Sequence, residues 1–543
     1  MSIAALPAEI LQKIFDYLPR SEQLQKTRIS HRWNELVLRE TYLILAYGDQ
    51  LISERILRRT ARGYCCFSVE FSESYEEIRS RLAICAQKFA LRKLILDGIQ
   101  TYALVSFVGE YRGWLRSLVQ LSVTVSNRVD SSETDVRLDL PRLRILSWTY
   151  NTEGGSTALP VFRLNAPLLE DAFVECVEVD RTPLVLENTG RLKSLGLFVP
   201  KMVGSLCPDG LYTLNCLRLY NSTRPFEWGT KHCKLPLLTT LELCGCIVNS
   251  HSLAFIRNFP KLETLVIQTE QTNPINLSVI ANSLSNLKQL RLFDVKYTHG
   301  PEVVTFPSLQ ILDINDIQGQ VEYGLEINAP HLMTLKGTNL NLNMLELTNY
   351  ATVRSLIIFG LYLNFPRPRL FESVMILYLD VPCIASNSIF GLNPPAILLS
   401  ECLHQFPNLT RLTVVLHDKR TPVNISGFLL AVSFVNLRYL HLRDFDLDYN
   451  FLVGIKKANK MRTLVLQDGA LSTTADNQPL HFSELQHFFV RNVKIPKNIT
   501  VFPVLYPSTD MILSLADGNV FSTHYWDESV VKSREDYLTY LRW

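Results

Sequence analysis

The sequence lacks the features that point to an enzyme or a membrane protein. It contains no G-x-S-x-G, H-E-x-x-H, Walker-loop, G-x-G-x-x-G or C-x-x-C motif, so we expect no catalytic residue, no metal ion and no cofactor. Cys244, Cys246 and His251 are close in sequence but do not have the spacing of a zinc ligand set. No stretch approaches the roughly 18 consecutive apolar residues of a membrane-spanning helix.

The net charge and the spacing of the cysteines further limit the class of protein that this sequence can encode. The 54 basic and 52 acidic residues give a net charge of +2, which argues against bulk binding to nucleic acid or to an anionic membrane. The 11 cysteines have no framework spacing, which favours reduced thiols. The first residues, MSIAALPAEILQ, do not have the layout of a signal peptide. We therefore expect a cytoplasmic or nuclear protein.

Leucine is abundant and recurs in the pattern L-x-x-L-x-L, often followed by Asp or Asn. Clear copies begin at Leu91, Leu192, Leu214, Leu238, Leu262, Leu287, Leu309, Leu409, Leu437, Met461 and Leu485. Weaker copies bring the total to about 18, with a mean period of about 25 residues, inside the range of leucine-rich repeats.

Each copy predicts one short strand with a buried face, because apolar and other residues alternate in it. Parallel stacking of such strands requires a crossover, which the rest of each repeat can supply as a helix or an irregular return. We therefore predict an α/β fold, a long curved solenoid with parallel strands on its concave face. A Rossmann-like domain shares the alternation, but these repeats are too short for full βαβ units and carry no Gly-rich phosphate turn.

The N-terminal residues 6–37 have a helical pattern instead. Pro7 suits the first turn of a helix, and Glu9 suits its positive end. A single apolar stripe follows at Ile10, Leu11, Ile14, Phe15 and Leu18. A module of about forty residues cannot bury such a stripe alone, so the stripe predicts a partner.

The order and spacing of these residues resemble an F-box. The match consists of L-P-x-E-I-L-x-x-I-F-x-x-L at 6–18 and I-S-x-R-W at 29–33, with Thr27 and Arg28 where apolar residues are usual. The resemblance implies three helices that dock on the Skp adaptor and, through it, on cullin and RING subunits of a ubiquitin ligase. The implied adaptor contacts are Leu6, Pro7, Ile10, Leu11, Ile14, Phe15 and Leu18, supported by Leu24 and Trp33. A role in the core of the module is the alternative for each of them.

The predicted organisation has four parts. These are the F-box at 1–45, a linker helix at 46–62, the solenoid at 63–500, and a degenerate last repeat with a capping helix at 501–543. A basic cluster on the linker, Arg55, Arg58, Arg59 and Arg62, is either a solvated face or a contact for an acidic partner. Residues 383–402 are expected to be either an inserted loop or a repeat that has lost the leucine pattern. The C-terminal helix either caps the solenoid or folds back over its concave face.

The candidate substrate-binding surface is the concave face of the last repeats, because residues that alternate with the leucines point away from the core. The residues selected there are Arg411, Tyr439, His441, Arg443, His487, Phe489 and Arg491. Aromatic and arginine side chains are common anchors of protein interfaces. A solvated face without a partner is the alternative.

The resemblance implies a non-catalytic substrate receptor of an Skp–cullin–F-box ligase, with a protein substrate held by the repeats. Two other functions stay open. One is a scaffold that uses adaptor and repeats without ubiquitin transfer, and the other is an F-box receptor that senses a small molecule.

Overall fold

Short parallel strands, about one per repeat, make up most of the structure. The computed structural model describes Leu11, Trp33 and residues 42–45, 54–60, 63–71, 75–127, 135–152, 161–176, 184–198, 211–220, 235–246, 248, 256–268, 275–293, 297–298, 303–315, 325–338, 345–347, 350–359, 371–381, 403, 405–416, 423–424, 436–448, 460–472, 486–494, 510–515 and 520–522. The chain divides into two compact units, residues 1–273 and 274–543, called unit 1 and unit 2 below.

Unit 1 contains the longer helices. They are α2 (Tyr75–Lys88) and α3 (Thr101–Leu115), and unit 1 also has the short helix α1 (Glu54–Arg59) and a 3-10 turn at Ile256–Asn258. Its described strands β1 to β13 are, in chain order, Tyr42–Leu45, Cys66–Glu70, Lys93–Gln100, Gln120–Asn127, Val136–Asp139, Ile145–Thr152, Phe162–Asn165, Asp171–Cys176, Leu184–Glu187, Ser194–Leu197, Cys216–Tyr220, Thr240–Cys244 and Thr264–Gln268. The main sheet of unit 1 is parallel and joins β1, β2, β3, β4, β6, β8, β10, β11, β12 and β13.

Unit 2 consists mainly of strands. Its helix α4 (Leu277–Ser283) begins after Asn276, whose side chain accepts a hydrogen bond from the backbone N–H of Ser278 at 2.9 Å. The described strands β14 to β31 are Ile275–Asn276, Gln289–Phe293, Tyr297–Thr298, Val304–Thr305, Ile311–Asn315, Leu325–Asn328, Thr334–Thr338, Leu345–Leu347, Ser355–Phe359, Ile376–Val381, Arg411–Leu416, Val423–Asn424, Tyr439–Arg443, Phe445–Asp448, Thr463–Ser472, His487–Lys494, Asp510–Leu515 and Val520–Ser522. Parallel pairing runs from β15 through β18, β20, β22, β23, β24, β26, β28 and β29 to β30.

The leucines of successive repeats stack in register. Leu217 of β11 lies beside Leu241 of β12, and Leu290 of β15 lies beside Leu312 of β18. All four side chains are at most 1% exposed. The predicted strands and their buried face are therefore confirmed, and each repeat completes the core of its neighbours.

Where the structure describes the returns between repeats, they contain more strand and less helix than the expected helical or irregular crossover. In unit 1, β5, β7 and β9 form a separate parallel sheet, and in unit 2 β17, β19 and β21 form another. The reason is visible in β7, where Phe162 and Leu164 are buried and Arg163 between them is half-buried. Alternation over four residues favours a strand, and the short repeat leaves no room for a longer element.

The first strand of the main sheet lies inside the range 1–45 that the sequence assigns to the F-box. β1 pairs with β2 in parallel, so the sheet begins before residue 63, the predicted start of the solenoid. Helix α1 lies within the range 46–62, and Lys88 of α2 donates hydrogen bonds from Nζ to the carbonyl oxygens of Leu57 and Arg58. Helix α1 therefore packs within unit 1. The sequence signal was weak here because β1 has only four residues.

Several predicted features lie outside the described residues. They are most of the F-box, Arg62, the segment 383–402 and the C-terminal helix beyond 522. Within the range 501–543, strand β30 is described and pairs with β29. Among the residues that the structure describes, no helix is both long and apolar enough to cross a membrane.

Candidate functional site

The predicted substrate residues lie on what we call the alternate face, the side-chain positions that alternate with the buried leucines. The four strands β24, β26, β28 and β29 pair in register. Three rows of side chains cross them: Arg411, Tyr439, Thr463 and His487; Thr413, His441, Val465 and Phe489; and Val415, Arg443, Gln467 and Arg491. We call the seven predicted residues in these rows the C-terminal patch. Strand β28 separates its two halves and contributes none of them.

The first half of the patch is built around Tyr439. The guanidinium of Arg411 lies over the Tyr439 ring, 4.2 Å from its centroid. Burial raises the pKa of the Tyr439 hydroxyl, and the Arg411 charge opposes this rise. A guanidinium stacked on a ring keeps its N–H edge available, so Arg411 can still donate to a carboxylate.

Arg443 is less available than the sequence suggests. Its Nε lies 3.1 Å from Oδ2 of Asp468 and 3.5 Å from Oδ2 of Asp444. Asp468 also accepts a hydrogen bond from Nε2 of Gln467 at 3.0 Å and one from Nδ2 of Asn492 at 2.9 Å. The carboxylate of Asp468 thus compensates the Arg443 charge and links side chains of the three strands β26, β28 and β29.

The sequence pattern shows Asp or Asn after many of the strands, but it did not reveal the role of Asp444, Asp468 and Asn492 in the patch. All three have left-handed backbones, with φ of 58°, 52° and 52°. Asp and Asn tolerate this conformation best among residues other than glycine. The Asp468 carboxylate bonds neighbouring side chains. The recurrence of Asp or Asn at the same place in successive repeats was the available signal.

His441 does not contribute positive charge at neutral pH. Burial lowers its pKa to about 4, and the charges of Arg443 and Arg411 act in the same direction. A hydrogen bond with Gln467 and the charge of Asp468 oppose the shift without cancelling it. Its Nε2 atom is buried without a hydrogen-bond partner among the described residues. His441 is therefore a neutral, half-buried part of the patch.

The second half of the patch is the more accessible one. The rings of His487 and Phe489 stack with their centroids 6.1 Å apart and an interplanar angle of 9°. Arg491 is exposed, and within the described part of the chain it has no ion pair. Val465 of β28 lies between the two halves in the middle row and is only 3% exposed, so it offers little surface to a partner. Arg411 and Arg491 are consequently the cations that the patch can offer to a partner.

The alternate face of unit 1 has a different chemistry. Phe173, Phe198 and Tyr220 form an aromatic cluster in which Phe173 meets Phe198 edge-on at 5.8 Å, and Phe198 stacks on Tyr220 at 5.1 Å. Gly196 makes room for it, since a Cβ atom there would lie 2.7 Å from the Phe173 ring. The candidate site chosen from the sequence does not include this cluster. Phe198 continues the alternation one residue past β10.

Beside this cluster, Arg218 and Glu242 form an ion pair at 3.1 Å. Cys216 and Cys244 flank the pair, and burial raises the pKa of both thiols. Burial also raises the pKa of Cys85 to about 12. These thiols are therefore protonated at neutral pH and have the properties of structural residues. Across the described ranges, no three His, Cys, Asp or Glu side chains group as a metal site would require.

Of the nine predicted adaptor contacts, only Leu11 and Trp33 belong to the described residues. Leu11 is 0% exposed and Trp33 is 9% exposed, so both are buried within this chain. Such burial is what the alternative role, core of the module, predicts for these two. The remaining seven, Leu6, Pro7, Ile10, Ile14, Phe15, Leu18 and Leu24, lie outside the described residues and stay predictions.

Comparison with known families identifies one segment of the chain. Residues 3–43 match the F-box-like family. The chain combines an F-box-like segment with leucine-rich repeats. Among solved structures, the mouse RP105/MD-1 complex is similar over 82% of this chain and 82% of that chain, with 14% identity and a TM-score of 0.41. The TLR13–ssRNA13 complex is similar over 76% of this chain and 67% of that chain, with 13% identity and a TM-score of 0.31. No curated protein sequence matches.

Proposed function

We propose that this chain is the substrate-recognition subunit of an Skp–cullin–F-box type ubiquitin ligase. The observation that carries the proposal is the F-box-like match at residues 3–43, ahead of a repeat region whose alternate face carries aromatic and arginine side chains. The F-box-like segment docks on the Skp adaptor, and the repeats hold a protein substrate. The chain itself is non-catalytic, because the chemistry of transfer belongs to other subunits, and it acts in the cytoplasm or nucleus.

Adaptor docking is tested by co-purification of the full chain with the Skp adaptor. Ile14→Asp puts a charge into the apolar stripe, and burying that charge at an interface costs several kcal/mol. We expect loss of the adaptor with unchanged melting of the repeats. Tyr212→Ser is the matched control, since Tyr212 is an apolar side chain of unit 1 that is 59% exposed. Adaptor retained by the Ile14 variant at the wild-type level would contradict the docking proposal.

Substrate binding is proposed for the accessible half of the C-terminal patch. Phe489 supplies an aromatic anchor and Arg491 an uncompensated charge, which together suit an acidic or phosphorylated segment. In a proximity-labelling screen, Phe489→Ala combined with Arg491→Glu is expected to remove specific partners while the adaptor is retained. Tyr102→Ala with Arg112→Glu makes the same chemical change on the exposed surface of α3. An identical partner set for both double variants would refute this assignment.

Ligase function and scaffolding differ in what happens to the bound partner. As a ligase subunit, the chain causes partners to gain ubiquitin and to accumulate when the proteasome is inhibited. Both effects disappear with Ile14→Asp. A scaffold retains its partners without either effect. Partner levels and ubiquitin content in cells expressing wild-type or Ile14→Asp chain separate the two functions.

A further inference from the structure

An open groove of about 820 Å³ runs along the edge of unit 2 where the strands of the main sheet begin. Its floor is formed by the residues that immediately precede successive strands: Gln310, Met333, Arg354, Met375, Thr410 and Arg438. This surface, called the edge groove below, is distinct from the C-terminal patch, whose residues lie within the strands. It does not depend on the proposed ligase function.

Backbone hydrogen bonds along the floor are already made. The N–H of Arg354 donates to the carbonyl oxygen of Met333 at 2.9 Å, and the N–H of Met375 donates to that of Arg354 at 2.8 Å. Thr410 and Arg438 continue the ladder. The edge groove therefore offers side chains, and not open backbone, to a partner.

The charges of the edge groove are unbalanced. Arg354, Arg438 and Lys460 line it and are exposed, whereas Glu372 is the one carboxylate among its lining residues. Lys460 donates from Nζ to Oδ1 of Asn436 at 3.0 Å, a neutral partner. Arg354 and Arg438 have no ion pair among the described residues. Uncompensated cations in one groove attract a negatively charged ligand.

The matching edge of unit 1 shows that this imbalance is particular to unit 2. There, the residues just before the strands include Arg144 and Lys193, which correspond to Arg354 and Arg438. Both pair with Glu170, at 4.0 Å and 3.3 Å, and this carboxylate offsets part of their charge. In unit 2 the corresponding residues on the two strands beside Arg354 are Met333 and Met375, and neither is acidic.

The methionines give the edge groove an apolar component. Met333 and Met375 are each 43% exposed. Methionine is flexible and polarisable, and is frequent on surfaces that accept peptides of varied sequence. Five strand steps of about 4.8 Å give the floor a length of about 24 Å, which matches roughly seven residues of extended peptide.

We propose that the edge groove binds an acidic segment of a protein partner, in extended conformation, that also carries apolar side chains. Carboxylates of the segment pair with Arg354, Arg438 and Lys460, and its apolar side chains pack on Met333 and Met375. A protein segment is favoured over nucleic acid, because the lining residues include no Phe, Tyr or Trp ring on which a base could stack, and their one ring is the imidazole of His331. The net charge of +2 argues in the same direction.

The test is selection of peptides from a random display library on the full-length chain, followed by fluorescence anisotropy. We expect the selected peptides to be rich in Asp, Glu and large apolar residues. Arg354→Glu with Arg438→Glu should weaken their binding at least tenfold, and Met333→Ser with Met375→Ser at least threefold. The control is Arg142→Glu with Arg191→Glu, two exposed arginines that precede the first leucine of unit 1 repeats, and it should leave affinity unchanged.

Three results would overturn the proposal. They are a selection without acidic enrichment, selected peptides that bind the Arg354 and Arg438 variant as tightly as wild type, and a dT12 oligonucleotide that binds tighter than any selected peptide and is lost in that variant. The last result would assign the edge groove to nucleic acid. None of the three bears on the adaptor test with Ile14→Asp, so failure here and failure of the ligase proposal are distinguishable.

Discussion

The alternate faces of the two units share a backbone arrangement and differ in chemistry. In unit 1, Phe173, Phe198 and Tyr220 contact one another, and the neighbouring charges of Arg218 and Glu242 cancel. In unit 2, the rings of the C-terminal patch form two separate contacts instead of one cluster: Arg411 covers Tyr439, and His487 stacks on Phe489. In unit 1 the rings and the charges interact with one another, whereas in unit 2 cations of the patch remain available to a partner.

The difference shows which residues the fold constrains. Leu217 in unit 1 and Leu290 in unit 2 occupy the same kind of position, and the side chain of each is at most 1% exposed. The residues between the leucines are not held by the core, so each unit can carry a different surface on one scaffold. Substitutions in the leucine stacks and on the two alternate faces should therefore have effects of different size.

The largest effect is expected in the leucine stacks. Leu217→Ala and Leu290→Ala each leave a cavity between packed strands, and each should lower the free energy of unfolding by ~2–5 kcal/mol. Glu242→Ala, on the alternate face, should cost under ~1 kcal/mol because it removes only a partly exposed ion pair. Urea melts of the three variants check the order. A larger cost for Glu242→Ala would mean that the two faces have been assigned the wrong way round.

A smaller effect is expected from Gly196→Ala in the aromatic cluster. The added methyl group would approach the Phe173 ring to 2.7 Å, so the ring must move and the cluster must repack. We expect a loss of ~1–3 kcal/mol and a changed near-ultraviolet circular dichroism spectrum. Gly190→Ala is the control, because nothing lies within 4 Å of a Cβ atom at that position. Equal stability of both variants would show that Phe173 is free to move away.

In the C-terminal patch, Asp468→Ala should cost ~1–2 kcal/mol. It removes the acceptor for Arg443, Gln467 and Asn492, and it places alanine at a φ of 52°. Asp468→Asn keeps a residue that tolerates this backbone and retains one oxygen acceptor, so it should cost less. Thermal melts of the two variants measure the difference. Identical losses would show that the charge of Asp468 is its whole contribution.

The smallest effect concerns pH and His441. Its pKa of about 4 lies below the ~6.5 of an unfolded histidine, so the unfolded chain binds the extra proton first. The contribution to stability is complete above about pH 6.5 and is lost as pH falls toward 4. It should amount to about 1 kcal/mol between pH 7 and 5.5. Arg411, Arg443 and Asp468 are the charged groups that influence it.

Urea melts between pH 7 and 5 check this prediction. His441→Gln should reduce the change in the free energy of unfolding with pH. His331→Gln, at an exposed histidine of the same unit, should not alter that change. An unchanged pH profile in the His441 variant would show that His441 is not the group responsible.

The fold was predictable because its signal is repeated. The alternation of Leu290 and Leu292 recurs in every copy, and β15 has both side chains buried as that alternation requires. The strand β7 also had a signal, the alternation of Phe162 and Leu164, but it spans too few residues to stand out. The pairing of β1 in the sheet was hidden for the same reason.

The candidate site was less predictable, because charges and burial depend on neighbours far away in sequence. The compensation of Arg443 by Asp468 joins two repeats, and the neutral state of His441 follows from its packing between strands. Neither can be seen in a single repeat. The edge groove was missed because its residues stand just outside the alternating pattern, where Met333 and Met375 resemble ordinary core methionines until their exposure is known.

The second-layer strands have a consequence for how the repeat array can change. Because β5, β7 and β9 pair with one another while β6, β8 and β10 pair in the main sheet, residues 136–197 are joined by two separate hydrogen-bonded ladders. Deleting or duplicating a repeat here must rejoin both ladders at once. Where returns lack a second ladder, only one must be rejoined. Residues 136–197 and the part of unit 2 that contains β17, β19 and β21 both have a second ladder, so among the described residues they are the parts of the array least open to gain or loss of repeats, and their amide protons should be the slowest to exchange with solvent.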